Sequence, residues 1–424
     1  MKKGVILGLR GENVMSYEKL SKLYYKLDNT SYENELDKRK NSYGSYLTSL
    51  KIRGFKRGNV TSDSFELFYV NTNELMNLNN EVLLNSSKIT QLIGKLPNFV
   101  LTHYFNKLII NEAQSNNEIE GIHSTKRELK DALSEVGQKK PRNKRFVGLM
   151  KTYKYIDQIE PFEKVQDFRK LYDNLVADEI KKEDIPDGEF FRKEDVEVND
   201  GIMTTHIGLR SEERIIESLR ELINYLNDES HPELYRYMVG HYYYEYIHPF
   251  YDGNGRTGRL VAASYLSRYL EKYSAITFSY AVNKNKLKYY KALEEIAPPL
   301  NKGEMTFYLI STLELLSSGQ RGIIEDLEIS LMKLERIKEY FSKGKWKDYK
   351  LEAALLEAMI SINVFVEDSL TLEARDLMKL ANKSRYMIDK SMEHLIKAGY
   401  VEKVKRRPMT YKVYDECLER ILSS

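Results

Sequence analysis

The stretch IHPFYDGNGRTGRL, Ile247 to Leu260, combines a histidine, a carboxylate, two arginines and three glycines. Glycine and asparagine tolerate positive φ, so the run Asp252–Gly255 can point successive backbone N–H groups into one concavity, which suits phosphate. A helix that starts at Gly255 would add its positive N-terminal end. Arg256 and Arg259 lie three residues apart, so both can reach an anion held there. The stretch therefore predicts an oligophosphate site.

Two more side chains of this stretch could take part in chemistry. Asp252 lies at the rim of the predicted concavity, where a lone carboxylate beside phosphates is a usual ligand for Mg²⁺. His248 titrates near neutral pH, is held by Pro249, and can accept a proton from an attacking hydroxyl. Phe250 is predicted to anchor the loop in the core. The alternative is a plain turn, because His-Pro, Asp-Gly and Asn-Gly are common turn dipeptides, but a turn alone does not need these functional groups together.

The residues from His248 to Arg259, HPFYDGNGRTGR, resemble the signature of the Fic family, HPFxDGNGRxGR, at every specified position. The wider resemblance covers Pro97 to Leu316. It implies an all-α core with one β-hairpin flap. Family members mostly transfer AMP from ATP to a protein hydroxyl. The resemblance thus implies a protein adenylyltransferase that uses ATP and Mg²⁺ and modifies a Ser, Thr or Tyr of a protein target, including itself.

The resemblance also implies a role for each site residue. His248 would be the general base, and Asp252 would hold Mg²⁺ on the α and β phosphates. The implied nucleotide-binding residues are Gly253, Asn254, Gly255, Arg256, Thr257, Gly258, Arg259, Tyr289, Tyr290, Asn301, Thr205, His206 and Ile207. The first three would cradle the phosphates, and the two arginines would clamp the β and γ groups as pyrophosphate leaves.

The remaining residues of this set lie outside the signature. Tyr289 and Tyr290 match a tyrosine pair that the family places by the adenosine, and Asn301 begins NKGE, which is similar to a family N-x-G-D stretch. Aromatic residues at such a spacing can equally be core residues. His206 would lie by the nucleotide with its neighbours in the flap, and the alternative is an exposed strand histidine.

The segment SNNEIEG, Ser115 to Gly121, resembles a second family feature, an inhibitory helix with the pattern S/T-x-x-x-E-G/N. It implies that Glu120 pairs with Arg259 and so blocks the γ-phosphate. Asn116 stands where the family has Ser or Thr, and it too can form hydrogen bonds. The alternative is that Glu120 is a solvated helix residue. In some relatives the same glutamate helps water to remove AMP, so the resemblance leaves reverse de-AMPylation open.

The elements that position these residues are predicted to be mainly helices, because only 9 Pro and 22 Gly leave few helix breakers. The inhibitory helix is expected at about 105–121, and the signature joins two helices with apolar faces. The exception is 195–209, where alternating residues flank Asn199-Asp200-Gly201 and predict a β-hairpin, the flap of the resemblance. By the resemblance, the flap would lay the target segment across the site by strand addition.

Composition divides the chain into four segments. Residues 1–95 are a polar N-terminal extension, partly helical, in which 65–84 is the first convincing helical stretch. Residues 96–320 form the predicted Fic catalytic domain, and 321–345 a linker helix. Residues 346–424 resemble a winged helix-turn-helix domain. The predicted fold class is therefore mainly α: a Fic-type helical core with one flap and a C-terminal winged helix.

The C-terminal segment has a local excess of positive charge, although the whole chain has a net charge of only +3. Its cations are Lys383, Arg385, Lys390, Lys397, Lys403, Lys405, Arg406 and Arg407. A basic recognition helix and wing would place them against DNA phosphates. Such domains also serve in dimerisation or protein docking. The rival functions are therefore a DNA-binding regulator with the Fic core as sensor or scaffold, and a Fic-fold transferase of another phosphate-containing group.

The chain is expected to be cytoplasmic and without a membrane partner. Its one cysteine, Cys417, cannot form an internal disulfide, which fits a reducing compartment. Arg10 ends the N-terminal apolar run before it reaches the length of a signal peptide. No stretch approaches the roughly 20 apolar residues of a membrane helix. The sequence leaves homodimer formation open.

Overall fold

A computed structural model describes residues 17–138, 145–176, 179–199, 203–366 and 371–423. Helices dominate this part of the chain, which confirms the mainly α class. The helices are α1 Leu20–Leu23, α2 Asn29–Lys40, α3 Asn73–Ile93, α4 Asn98–Ile119, α5 Lys126–Glu135, α6 Val147–Lys154, α7 Val165–Val176, α8 Glu212–Leu226, α9 Glu233–Ile247, α10 Asn254–Tyr269, α11 Lys272–Ala275, α12 Phe278–Lys284, α13 Lys286–Glu294, α14 Thr306–Ser342, α15 Lys350–Phe365, α16 Ala374–Ala381, α17 Arg385–Lys397 and α18 Asp415–Ser423. Short 3-10 turns cover Ile156–Gln158, Lys182–Asp184, Pro299–Asn301 and Gly344–Lys347.

The strands form three small antiparallel sheets. They are β1 Ser45–Lys56, β2 Asn59–Val70, β3 Glu197–Asn199, β4 Thr204–Ile207, β5 Thr371–Glu373, β6 Val401–Arg406 and β7 Met409–Val413. The predicted flap hairpin corresponds to β3 and β4, which pair Glu197 with Ile207 and Val198 with His206. Asp200 and Gly201 of its predicted turn lie outside the described residues.

The first hairpin, β1 and β2, was not predicted from the sequence. Its register runs from Ser45↔Val70 to Lys56↔Asn59, and its turn uses Arg57 (φ 52°) and Gly58 (φ 79°). The predicted helical stretch 65–84 is therefore wrong over its first residues, which belong to β2. The aromatic and β-branched residues of FELFYV suit a pleated surface, and the helix starts only after Thr72 caps it by accepting from the Leu75 N–H at 3.2 Å.

The N-terminal part packs into the same hydrophobic core as the helices around the signature. Leu50, Leu67 and Val82, from the hairpin and α3, are buried in the cluster that also contains Val239 of α9 and Leu260 of α10. Burial of apolar surface is the main stabilising contribution here, so the hairpin is part of the core that supports the signature helices.

Helices α9 and α10 form the centre of the molecule, and almost every side chain of both is buried. Helix α4, the predicted inhibitory helix, packs against α12 and α10 and begins earlier than predicted, at Asn98. It ends at Ile119, with Glu120 as its C-cap residue. Thus the signature loop and the end of α4 approach each other through the packing of α4 on α10.

The C-terminal elements pack around a second hydrophobic cluster, which includes Leu356 of α15, Leu377 of α16 and Ile388 of α17. Helix α14 runs unbroken through residue 320, where a domain boundary was predicted, and Ile337 near its end joins this second cluster. The three strands lie in the order β5-β7-β6. The winged helix remains a prediction. No helix in the described ranges combines the length and the apolarity that crossing a membrane requires.

Candidate active site

The signature loop between α9 and α10 is closed by its own asparagine. The Asn254 side chain accepts from the Phe250 N–H at 2.9 Å and donates to the Phe250 carbonyl at 2.8 Å. The Phe250 ring is fully buried, as predicted, and stacks on Tyr172 with 3.6 Å between ring centroids. His248 caps α9 in the left-handed conformation, at φ 52° and ψ 63°. The loop is therefore fixed by hydrogen bonds and packing before any ligand binds.

The loop ends in a cradle of backbone N–H groups. Helix α10 begins at Asn254, one residue earlier than predicted, and Gly253 caps it at φ 80°. The first N–H groups of an α-helix have no partner within the helix, and here they belong to Asn254, Gly255 and Arg256. These donors and the helix dipole form an anion site. Asp252 is exposed at its edge, and one carboxylate oxygen accepts from the Gly253 N–H at 2.6 Å. An exposed carboxylate beside a phosphate cradle suits a hydrated Mg²⁺.

Glu120 lies over this cradle and pairs with Arg259. Its Oε1 accepts from Nη2 of Arg259 at 2.6 Å, and the Arg259 side chain is 1% exposed. A Cβ on Gly255 would collide with the same carboxylate, so Gly255 leaves room for it. Burial opposes the charge of Arg259, but Glu120 still raises its pKa. The Glu120 carboxylate therefore pairs with the same guanidinium group that a phosphate in the cradle would contact.

Asn116 orients the Arg259 side chain through a hydrogen bond. Its side-chain oxygen accepts from Nε of Arg259 at 2.7 Å, and its amide nitrogen donates to the Tyr153 hydroxyl at 2.9 Å. Asn116 is fully buried, so both bonds are protected from water. Gly121 follows Glu120 at φ 70°, where a residue with a side chain would be strained, and it ends the helical segment.

Arg256 also forms an ion pair, with Glu179, which was not predicted from the sequence. Its Nη1 donates to Glu179 Oε2 at 2.9 Å, and the two side chains are 1% and 6% exposed. Burial raises the pKa of Glu179, and the charge of Arg256 opposes that rise. Both signature arginines thus have carboxylate partners. Glu179 lies 77 positions from Arg256, and no local pattern marks it.

His248 is a neutral imidazole, not the group titrating near neutral pH that the sequence predicts, and one of its ring nitrogens already has a hydrogen-bond partner. Its Nδ1 lies 3.3 Å from the Glu245 carbonyl, which can only accept, so Nδ1 carries the proton and Nε2 keeps its lone pair. Burial lowers the pKa of His248 to about 3, with further contributions from His206 and Arg192. The ring of His206 in β4 lies 6.1 Å away between centroids, and its Nε2 donates to the Tyr246 carbonyl at 2.8 Å. Nε2 of His248 is thus available as a base.

Arg192 is a buried residue of the site that sequence reasoning missed. Its guanidinium donates to three backbone carbonyls: His248 at 2.9 Å, Leu209 at 2.8 Å and Glu194 at 2.5 Å. Burial lowers the pKa of Arg192. Leu209 and Glu194 flank the β3–β4 hairpin on its two sides, so one side chain ties the flap to the loop of His248. A lone arginine whose partners are carbonyls leaves no charge pattern in a sequence.

Other predicted site residues have internal partners. Thr257 donates to the Gly253 carbonyl at 2.8 Å, and Gly258 is packed against the Glu245 carboxylate. In the flap, Thr205 donates to the Val198 carbonyl at 3.1 Å, and Ile207 pairs with Glu197 as described above. Thr257 and Gly258 therefore support the cradle from inside the helix.

The aromatic pair divides between core and surface. Tyr289 is 1% exposed and its hydroxyl bonds to His241 at 2.7 Å, whereas Tyr290 is 39% exposed. Burial raises the pKa of Tyr290 to about 12, and the nearby charge of Glu120 adds to the rise, so Tyr290 lies near Glu120. Asn301 is buried and donates to the carbonyls of Ile296 and Glu304. Only Tyr290 has surface available for a ligand.

Glu245 is a buried carboxyl beneath the cradle. Its Oε1 has no hydrogen-bond partner among the described residues and lies 3.9 Å from Nδ1 of His241. Burial raises the pKa of Glu245 to about 8; the charge of Arg259 opposes the rise and that of Glu120 adds to it. Glu245 is therefore protonated and neutral at pH 7.

Replacing Glu245 with glutamine should make the protein less sensitive to alkaline pH. Between about pH 4.5 and about pH 8 the unfolded state loses the Glu245 proton while the folded state, with its raised pKa, retains it. The free energy of unfolding therefore falls as pH rises across that window. Urea unfolding should give the variant an advantage in free energy of unfolding that grows with pH and reaches about 4 kcal/mol near pH 8. Other titrating groups are common to both proteins and cancel. Parallel pH profiles would contradict the assignment of a raised pKa to Glu245.

Comparison with known proteins connects this geometry to a family. Residues 127–266 match the Fic/DOC family. "Protein adenylyltransferase fic-1" of Caenorhabditis elegans is 43% identical over 54 residues, a match that spans 12% of this chain and 11% of that protein. A Fic family protein from Desulfovibrio desulfuricans has a similar structure at a TM-score of 0.49 and 16% identity, over 85% of this chain and 99% of that one.

A Fic domain containing signaling protein from Bacteroides thetaiotaomicron is similar at a TM-score of 0.43 and 20% identity, over 59% of this chain and 95% of that one. The family match includes the whole loop between α9 and α10, with the anion cradle, Asp252 and His248. The similarity of this chain to the Fic/DOC family therefore extends over residues 127–266, less than half of its length.

Proposed function

We propose that this chain is a protein adenylyltransferase that transfers AMP from ATP to a Ser, Thr or Tyr hydroxyl, and that Glu120 holds it inactive. The observation that carries the proposal is one rigid loop, which has an unprotonated imidazole at its start and an anion cradle with an exposed carboxylate at its end. These are the groups that activate an alcohol and hold a polyphosphate. The relative named as an adenylyltransferase shares only a short segment, so the activity rests on this geometry.

In the proposed reaction, the ATP phosphates bind the N–H groups at the start of α10. Asp252 would hold Mg²⁺, which neutralises phosphate charge when bound. Nε2 of His248 takes the proton of the target hydroxyl as its oxygen forms a bond to the α-phosphorus. The bond from the α-phosphorus to the bridging oxygen breaks, and pyrophosphate leaves. The donors of the cradle are already in place, so they stabilise the charge on these oxygens without reorganisation.

Autoinhibition would follow from competition for Arg259. The guanidinium can satisfy either Glu120 or a terminal phosphate, and Glu120 is held close by the end of α4. The Asn116 side chain would keep Arg259 in the same orientation in both cases, because its oxygen accepts from Nε. The Asn116 backbone carbonyl accepts from Nη2 at 3.4 Å, the same nitrogen that donates to Glu120. A nucleotide would therefore bind with its phosphates displaced from the reactive arrangement until Glu120 moves away.

The position of the transferred label distinguishes AMP transfer from other phosphate chemistry. Glu120→Gly protein should be incubated with target-containing lysate and ATP labelled on either the α or the γ phosphate. We expect protein-bound radioactivity from the α label only, because the cradle positions the α–β bond for cleavage. Transfer of the γ label would indicate a kinase-type reaction instead. If neither label is transferred, the chain is not an ATP-dependent transferase.

DNA binding through the C-terminal elements is a second candidate function. The cations named in the sequence analysis are all exposed in the described residues, from the turn before α17 to the β6–β7 turn. Arg385 among them pairs with Asp389 at 2.8 Å. Exposed cations can simply be solvated and do not by themselves indicate DNA binding, so AMP transfer remains the leading proposal. A gel shift with and without residues 346–424 separates the two.

A further inference from the structure

A groove of about 410 Å³ lies between the first hairpin and the flap. One wall is the β1–β2 turn region and the other is β4 with the start of α8. The lining residues are Arg53, Gly54, Phe55, Asn59, Val60, Thr61, Ser62, His206, Ile207, Gly208, Leu209, Arg210, Arg214, Tyr246 and Ala297. The walls meet at the turn, where a Cβ on Gly58 would lie 3.8 Å from the Thr204 carbonyl oxygen. The hairpin that the sequence did not reveal therefore forms one side of a groove along the flap.

The groove is positively charged. Arg53, Arg210 and Arg214 line it, and none of its lining residues is acidic. Arg210 pairs with Asp195 at 3.1 Å at the outer edge. In the parts of the chain that are described, neither Arg53 nor Arg214 pairs with a carboxylate, and both are exposed. Two unpaired guanidinium groups on facing walls therefore present a complementary surface to negative charge.

The groove is also continuous with the candidate base. His206 lines it and lies beside His248, with ring centroids 6.1 Å apart. The Tyr246 hydroxyl, on the groove floor, accepts from the Arg53 N–H at 3.0 Å and so joins the hairpin to the end of α9. Its apolar lining includes Phe55 and Ile207. A chain held in this groove would thus lie along β4 with one end directed towards His248.

From these contacts we infer that the groove binds the target protein through an acidic segment beside the modified hydroxyl. This inference rests on the proposed transfer reaction, which requires a protein hydroxyl near His248. The floor and walls combine apolar side chains with arginines, as suits a peptide with alternating side chains, and β4 has no strand on its outer side in the described sheet. A nucleic acid would need a longer run of cations to follow its phosphates.

Peptide binding in the absence of nucleotide tests this specificity independently of transfer. The probes are short fluorescein-labelled peptides with one threonine flanked by Asp and Glu, by Gln, or by Lys, together with a single-stranded oligonucleotide. Fluorescence anisotropy is measured with the full chain, with Arg53→Glu/Arg214→Glu, with Arg53→Lys/Arg214→Lys, and with Arg220→Glu as the matched control. Arg220 is an exposed arginine of α8 that does not line the groove.

We expect the wild-type chain to bind the acidic peptide about tenfold more tightly than the lysine peptide. The double charge reversal should remove that preference, the Arg53→Lys/Arg214→Lys variant should retain most of it, and Arg220→Glu should keep all of it. Equal affinity for the three peptides, no binding of the acidic peptide at about millimolar concentration, or tighter binding of the oligonucleotide through the same arginines would each overturn the inference. An acidic preference in a chain that transfers no label would instead count against the proposed reaction alone.

Discussion

Replacing Glu120 with glycine should raise ATP-dependent labelling of protein about a hundredfold. The Glu120 carboxylate accepts a charge-assisted bond from a buried guanidinium at 2.6 Å, with only 26% of its own side chain exposed. Such a bond contributes about 3 kcal/mol, which corresponds to about two powers of ten in occupancy of the competent state. Without it, Arg259 is free to bind the terminal phosphate, and the cradle around Gly255 is open. Scintillation counting of protein incubated with α-labelled ATP measures the effect.

The matched control for this experiment is Glu118→Gly. Glu118 lies on the last turn of the same helix, is exposed, and accepts from the Asn283 amide at 2.7 Å rather than from a signature arginine. Both substitutions introduce a glycine near the end of α4, and the one at Glu118 lies inside the helix, so it costs at least as much helix propensity as the one at the C-cap position of Glu120. The control should therefore label like the wild type. Equal labelling by all three proteins would mean that the Glu120–Arg259 pair does not restrain the reaction.

Replacing His248 with alanine in the Glu120→Gly background should lower the transfer rate about a thousandfold, the range that general bases contribute. His248 is unprotonated and its Nε2 is free, so it can accept the proton of the hydroxyl as the new bond forms. The measurement is the initial rate of label transfer, and calorimetric titration with ATP serves as the control. ATP affinity should change little, because the cradle consists of backbone donors at the start of α10.

The outcome that would contradict this role is a rate that does not change when the imidazole is removed. Loss of ATP affinity together with the rate would point instead to disruption of the loop. His248→Asn separates the two further, since asparagine is well tolerated in the left-handed conformation that this position requires. We expect it to be as inactive as His248→Ala while preserving the fold of the loop.

The signature loop could be predicted from the sequence because the residues that determine its conformation are close together in the chain. Phe250 and Gly253 lie within a few positions of one another, and the glycines and asparagine determine the turn with little help from the rest of the chain. The pairing of Glu120 with Arg259 was also anticipated, although 139 positions separate them, because a resemblance linked the two segments. The structure adds the reason that Asn116 can replace Ser or Thr there: its amide oxygen reaches Nε of Arg259 directly.

The residues that could not be predicted are those whose partners are distant or are backbone atoms. Glu179 meets Arg256 only through the packing of α7 near the loop, and Arg192 contacts carbonyls alone, so neither leaves a sequence pattern. The β1–β2 hairpin was missed because its turn uses Arg57-Gly58 rather than the Asn-Gly or Asp-Gly pairs that usually mark such turns. The groove between this hairpin and the flap could not be predicted for the same reason.

Intact-mass spectrometry of the Glu120→Gly chain after incubation with ATP and Mg²⁺ tests the central claim most directly. We predict that the chain, or a protein in an added lysate, gains the mass of an adenylyl group, and that the gain disappears in the Glu120→Gly/His248→Ala double variant. No adduct on any protein, or the same adduct whether or not the imidazole is present, would contradict the account.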